Sequence, residues 1–431
     1  MKDKASFKPH MTKTFLIGLG FFTMGLMDPL YDAYVPIFLD DLLDRKGMIG
    51  LVMTFDNIFA LFLIPVFSHL SDQTRTRIGR RMPYIIVTLP LSALFFGLIP
   101  FAAGVGLAAL IVVLFLLNGV KQAARGPVVA LMPDTIPGEF RSEANGVINT
   151  MGGIAAIVGT IILSPLMDLD IDLPVIGSTR RKLPFLIAAL LVVAVTVILF
   201  TFVKENARSK SAREAREPIV KSLRILFNTG DRSAFWILVS IFVWFFGYQG
   251  LLPFVTLYTR DVVGTSEGIA GLSAGMVAIA YAVFAIPSGY VAHRFGRKRT
   301  IRTALIVTSA ITALISLHAP VADALALAPA LRIASFWILL FVFGVFWASI
   351  ITNSFPMLWQ MATFANMGIY TGLYYFFSQG AAILAPPVTG TIIDIAGYQS
   401  IFLFCAACLL LAFFLMGRVT GGEAEQPAVA P

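Results

Sequence analysis

Residues 71–85 read SDQTRTRIGRRMPYI, and long apolar segments press on this stretch from both sides. Asp72 is followed by Arg75, Arg77, Arg80 and Arg81. Charge at that density is too costly in hydrocarbon, so the stretch is a connection lying in water. Its arginine excess assigns it to the cytoplasmic side. A shorter relative, GYVAHRFGRKR, recurs at residues 289–299. Each copy follows the second long apolar segment of its half. A basic turn repeated at equivalent places predicts a membrane protein built by duplication.

Composition agrees with that reading. The chain has 431 residues, 58% apolar and 13% charged, with a mean hydropathy of +0.85. Soluble domains carry about 25% charged residues, so a soluble fold would leave large apolar surfaces in water. Residues 1–13 are a polar, lysine-bearing leader into a full-length span, and no cleaved signal is expected. The net charge of +8 does not point to nucleic acid. Most Lys and Arg fall on one set of alternate connections, few fall on the other, and only Lys121 and Arg125 fall well inside spans. That is the positive-inside pattern. Cys405 and Cys408 share a helix face without a second ligand pair, and the four histidines are scattered. No metal site or disulfide is expected.

A helix needs about 20 apolar residues to cross the bilayer core. Twelve spans are expected, at residues 14–39, 47–68, 84–103, 106–131, 145–167, 183–203, 233–258, 269–292, 302–319, 334–358, 368–393 and 398–417. The fold class is all-α, with two six-helix halves at 1–203 and 233–417. A basic linker at 204–232 joins them, and 418–431 is expected to be a disordered tail. An even number of spans puts both termini in the cytoplasm. Prolines recur inside the spans, among them Pro29, Pro36, Pro65, Pro127, Pro253, Pro287, Pro356, Pro386 and Pro387. The backbone groups they free need protein or a wet cavity to satisfy them. Half are read as packing kinks and half as moving joints.

Charged groups at helix centres cost about 2.5–3.5 kcal/mol each on insertion scales. The first half nevertheless holds several. Asp28 and Asp32 are four apart on the first span, so they share a face, and Tyr31 neighbours them. The second span carries Asp56 and Asn57. The fourth carries Asn118, Lys121, Gln122 and Arg125, again three and four apart. Asp28, Asp56, Asn118 and Lys121 come nearest the midplane, with Asp32 toward the outside and Arg125 toward the cytoplasm. Lys121 is therefore the natural partner of Asp28 or Asp56. The set reads either as static ion pairs joining helices or as a substrate and proton site.

The second half is almost free of intramembrane charge. It offers Trp244, Tyr248, Gln249, Tyr281, Trp347, Asn353, Tyr370, Tyr374, Tyr375 and Gln379. Aromatic faces with a few amides suit a sugar, whose C–H face stacks while its hydroxyls hydrogen-bond. Interfacial aromatic belts explain part of the set equally well. Gln249, Asn353, Tyr374, Tyr375 and Gln379 are the substrate candidates here. Tyr31, Asn57, Asn118 and Gln122 are those of the first half.

The chain resembles the major facilitator superfamily of transporters. There a Gly-x-x-x-Asp-Arg-x-Gly-Arg-Arg turn joins spans two and three. Residues 289–298 follow it closely, with His293 where an acid is usual. The first copy has Ser68 for the leading glycine and four extra residues after Asp72. That expanded form resembles the sucrose–proton symporters and their glycoside–cation symporter relatives. RGPVVALMPD at 125–134, RSEAN at 141–145, the stretch 353–356 and GIYTGLYY at 368–375 extend the similarity over nearly the whole chain. The sucrose symporters carry an aspartate on span four where this chain has Asn118, so another carboxylate must carry the proton. Asp56 is the first candidate, then Asp28 and Asp32.

The resemblance implies a disaccharide or related glycoside as substrate, imported across the plasma (inner) membrane by alternating access. The substrate site is expected between the halves near the midplane. A proton is the expected coupling ion, with sodium as the alternative, and a monomer is the expected functional unit. Asp72, Arg75, Arg77, Gly79, Arg80 and Arg81 form one expected cytoplasmic gate, and Arg294, Gly296 and Arg297 the other. One rival is proton-driven efflux of amphipathic compounds. Drug exporters of the superfamily carry a Gly-Pro motif on span five, where residues 146–166 read GVINTMGGIAAIVGTIILSPL. A non-transporting sensor or scaffold has little reason to keep the charges. With no nucleophile–base set and no phosphate loop, no enzyme or cofactor is expected.

Overall fold

A computed structural model describes residues 7–205, 232–362 and 367–423. Most of the expected linker and the last part of the expected tail lie outside them. Among the described residues, twelve helices are long and apolar enough to cross a membrane. They are Lys8–Asp40, Lys46–Gln73, Met82–Val105, Leu107–Thr135, Glu143–Met167, Leu183–Phe202, Arg232–Val263, Glu267–Phe295, Arg297–Ala324, Pro329–Gln360, Met367–Ala396 and Ser400–Gly417. Several outrun the apolar stretches that announce them. The first begins at Lys8 with Pro9 in its opening turn, where a missing amide hydrogen costs nothing.

By contact the chain divides into two compact units. The first comprises residues 1–44, 55–213 and 266–272, and the second 45–54, 214–265 and 273–431. In the first unit, span one packs on five and six, span three on four and six, and the inner part of two on four. In the second unit, span seven packs on eleven and twelve, and nine on ten and twelve. Trp337 Nε1 of span ten donates to Ser273 Oγ of span eight at 2.8 Å, completing the same scheme. Equivalent helices thus meet equivalent partners, as duplication requires. The two short exchanged segments, 45–54 and 266–272, leave no trace in the repeat pattern.

Small residues allow the closest approaches, as expected where apolar tails give helices no reason to associate. A Cβ on Gly25 would strike Gly152 O, and one on Gly344 would lie 2.8 Å from Val277 O. Large apolar side chains such as Phe62, Leu190, Ile286 and Phe414 stay exposed, as suits a lipid-facing surface. The second span is interrupted at Thr54, between helices Lys46–Met53 and Phe55–Gln73. The fifth and seventh spans end in wide π turns at Val158–Leu163 and Thr259–Val263. Such turns release backbone groups locally. A two-stranded hairpin, Asp172–Leu173 with Gly177–Ser178, precedes span six.

Candidate functional site

The charges of the first half come together in the first unit. Lys121 Nζ donates to Asp28 Oδ1 at 2.9 Å, and it lies 4.9 Å from the centroid of the Tyr31 ring. Asn118 Nδ2 donates to Tyr31 Oη at 2.8 Å. Span four therefore grips span one through three contacts, made from two positions of one helical stripe. Asp56 Oδ1 accepts from Asn57 N at 2.6 Å and Asn57 Nδ2 at 2.9 Å. Asp32 and Asp56 both feel the Lys121 ammonium electrostatically, and Arg125 acts on Asp28 and Asp56. Neither Asp32 nor Asp56 has an ion pair within contact distance among the described residues. Asn118 Oδ1 and Gln122 Oε1 are buried without a hydrogen-bond donor among the described residues. A transferable proton or a donor-bearing ligand would satisfy such acceptors.

Phe245 links the aromatic candidates of the second unit, its ring meeting Trp347 at 5.9 Å and Tyr374 at 6.4 Å. Tyr248 stacks on Trp347 at 4.2 Å, and Phe343 stacks beside both. Phe343 escapes the sequence reading, although its i, i+4 spacing to Trp347 carries the signal. Tyr374 is buried edge-on against Phe355 at 4.4 Å, whereas Tyr375 is exposed. Asn353 Nδ2 donates to Ser349 O at 2.9 Å and to Ser288 O at 3.5 Å, so its free capacity is the carbonyl oxygen. Gln249 and Gln379 are half-buried. Trp244 is fully buried, and its Nε1 has no acceptor among the described residues.

The basic turns are built structures. Gly79 has φ +114°, a left-handed conformation that a side chain resists. It throws Arg80 and Arg81 inward, where they are 5% and 2% exposed. Arg80 Nε and Arg81 Nε donate to Asp134 Oδ2 at 3.0 and 2.9 Å. Arg81 also contacts Ser71 Oγ and Asp72. Glu205 accepts from Arg81 N at 2.8 Å and Met82 N at 3.2 Å, capping span three. Arg75 instead folds back on the carbonyls of Asp72 and Thr74, and Arg77 is exposed. Buried charges need such complete pairing.

The second copy repeats the plan with fewer charges. Gly296 has φ +91°, and Glu423 accepts from Arg297 N and Lys298 N at 2.7 and 2.9 Å. Arg297 reaches Pro356 O at 3.5 Å, while Arg294 lies over Phe295. Glu423 belongs to the expected tail, and Thr420 N also bonds to Ser233 Oγ at 2.8 Å. Asp134, Glu205 and Glu423 are thus functional candidates that sequence reasoning did not assign. Only Asp134, at the end of the quoted RGPVVALMPD stretch, offered a signal.

Twelve apolar helices in two like-packed units, with buried charge on one stripe and paired basic turns, define a multi-pass membrane transporter. The chain belongs to the Major Facilitator Superfamily, whose family pattern matches residues 17–328 and again 261–430. It is 25% identical over 291 residues to the multidrug resistance protein MdtG of Proteus mirabilis, which covers 66% of each chain. It is 37% identical over 82 residues to the inner membrane transport protein YajR of Escherichia coli, about a fifth of either chain. The chain thus spans 18% and 66% of the lengths of these curated relatives. The nucleoside transporter NupG shares the fold at 12% identity with a TM-score of 0.71, covering 94% of this chain and 99% of that one. The Escherichia coli fucose:proton symporter FucP does so at 15% identity with a TM-score of 0.55, covering 95% and 99%.

Proposed function

We propose that this transporter imports a disaccharide or related glycoside together with a proton. The observation that carries the reading is the Asp28–Lys121 pair at 2.9 Å with Asp32 and Asp56 beside it, neither in an ion pair among the described residues. Three carboxylates facing Lys121 and Arg125 leave an excess of one negative charge, which one proton neutralises. Asp56 is the carrier, because a neighbouring amide rather than a cation holds its carboxylate. The orphaned carbonyls of Asn118 and Gln122 accept from sugar hydroxyls. The second unit supplies Gln249, Gln379, the Asn353 carbonyl and aromatic faces at Tyr374 and Tyr375. Proton entry under the membrane potential contributes about 2.3 kcal/mol per 100 mV, enough for modest accumulation of a neutral sugar.

The basic turns at Arg80 and Arg297 support an orientation with both termini inside. The monomer is the working unit, and no nucleic acid or cofactor takes part. A second reading, proton-driven efflux of amphipathic molecules, is favoured by the likeness to MdtG over two thirds of the chain. The test is uptake of labelled disaccharides into proteoliposomes, with and without an imposed proton or sodium gradient. Accumulation driven by protons supports import. Accumulation driven by sodium moves the coupling ion. Failure of every sugar, with proton-dependent movement of a lipophilic dye, replaces the reading by efflux.

A further inference from the structure

Two arginines of the second unit stack on aromatic rings and meet no acid. Arg302 lies in the second turn of span nine, and its guanidinium carbon sits 4.5 Å from the centroid of the Phe413 ring on span twelve. Arg418 directly follows span twelve, and its guanidinium carbon sits 4.5 Å from the centroid of the Trp236 ring on span seven. Neither has an ion pair among the described residues, and Arg302 Nε is buried with no acceptor among them. Both converge on Gly417. Arg302 Nη2 lies 3.7 Å from the position a Cβ on Gly417 would take, and Arg418 is the next residue.

The ordinary tasks of cations at this end are filled by other groups. Lys298 Nζ donates to Gly417 O at 3.2 Å and so answers the negative end of span twelve. Glu423 is engaged by the backbone amides of Arg297 and Lys298. Stacking on an aromatic face orients a guanidinium and leaves its N–H edge open. That edge is suited to paired hydrogen bonds with a phosphate.

Deeper along each helix, an exposed apolar side chain follows on the same stripe. Ile306 is one turn inward from Arg302 and 44% exposed, and Phe414 is one turn inward from Arg418 and 62% exposed. One turn is about 6 Å, the step from the headgroup layer to the acyl chains. A soluble anion gains nothing from such a stripe, whereas a phospholipid fits both parts. We propose that Arg302 and Arg418 bind the phosphodiester headgroup of an anionic phospholipid in the leaflet that meets the second basic turn, with its acyl chain lying along Ile306 and Phe414. The inference goes beyond the transport reading and needs neither its sugar nor its proton.

The test places a fluorophore on Ile306→Cys, in a background of Cys405→Ala and Cys408→Ala, with the full chain in phosphatidylcholine vesicles. Phosphatidylglycerol or phosphatidylcholine carrying a nitroxide on an acyl chain is then titrated in, and quenching reports which lipid gathers beside the probe. Each arginine near the surface contributes about fivefold, so phosphatidylglycerol should be preferred roughly twentyfold. Arg302→Gln and Arg418→Gln should each lose about fivefold, and together they should leave the two lipids equal. Arg302→Lys keeps the charge without the planar fork. It stands in if Arg302→Gln fails to fold, with a loss of about two- to threefold. Arg294→Gln removes the same charge from the exposed end of span eight and should change nothing. Equal quenching by both lipids in the parent overturns the proposal. So does a preference that falls as much with Arg294→Gln, which means a diffuse field, or that depends on one arginine alone. Displacement of the lipid by inorganic phosphate at constant ionic strength means a site for soluble anions and overturns it too.

Discussion

Asp28 on span one accepts a 2.9 Å hydrogen bond from Lys121 on span four, and Lys121 is only 6% exposed. Removing one partner of such a pair strands a buried charge, which costs about 3–5 kcal/mol, while replacing both is far milder. Asp28→Asn should therefore lower the melting temperature clearly in detergent. Asp28→Asn with Lys121→Gln should recover most of the loss. Thermal melts of the two single variants and the double variant form the check, and equal melting of Asp28→Asn and the parent chain would refute the coupling.

Asp56→Asn fixes the neutral form of the proposed proton carrier. Exchange of internal for external sugar should continue at a rate within a factor of about two of the parent, while uphill uptake disappears. Counterflow and gradient-driven uptake in the same vesicles separate these effects. Unchanged uphill uptake would transfer the proton to Asp32 or Asp28.

Asp134 receives both Arg80 and Arg81 and its side chain is 3% exposed, whereas Asp72 receives Arg81 alone and is 42% exposed. Exposed pairs contribute little and buried ones cannot lose a partner freely. Asp134→Asn should thus slow turnover roughly tenfold, and Asp72→Asn by much less. Equilibrium sugar binding should change little in either variant, since the network positions helix ends and lies away from the proposed sugar contacts. Paired measurements of binding and maximal uptake rate decide the matter.

How far the chain could be read in advance depended on distance along it. Asp28, Asn118 and Lys121 declared themselves because apolar spans tolerate charge only for a reason and helical spacing fixes the face. The partner of Lys121 stayed open between Asp28 and Asp56, because choosing needs the packing of span one against span four. Glu205 and Glu423 were invisible: each lies in a polar stretch where an acid is ordinary, and its role comes from a helix start more than a hundred residues away. The exchange of residues 45–54 and 266–272 was hidden for the same reason. Asn353 illustrates the opposite limit, since its amide bonds one turn back to Ser349 O and only structure reveals that expenditure.

Gly79 tests the architecture of the first basic turn. It has φ +114°, and a Cβ there would press on the Glu205 side chain, whereas Gly146 has open space around it. Gly79→Ala should cost roughly 1–2 kcal/mol and slow turnover. Gly146→Ala, on a helix, should be neutral or slightly stabilising. Melting curves and uptake rates of the pair are the comparison.

The most direct test of proton-coupled import is the proton itself. Vesicles containing the protein and a trapped pH dye are held without any imposed gradient, and a transported disaccharide is added outside. The account predicts internal acidification on sugar addition, abolished by Asp56→Asn while sugar exchange persists. Sugar entry with no change in internal pH, in vesicles shown to hold a pH gradient, would contradict it.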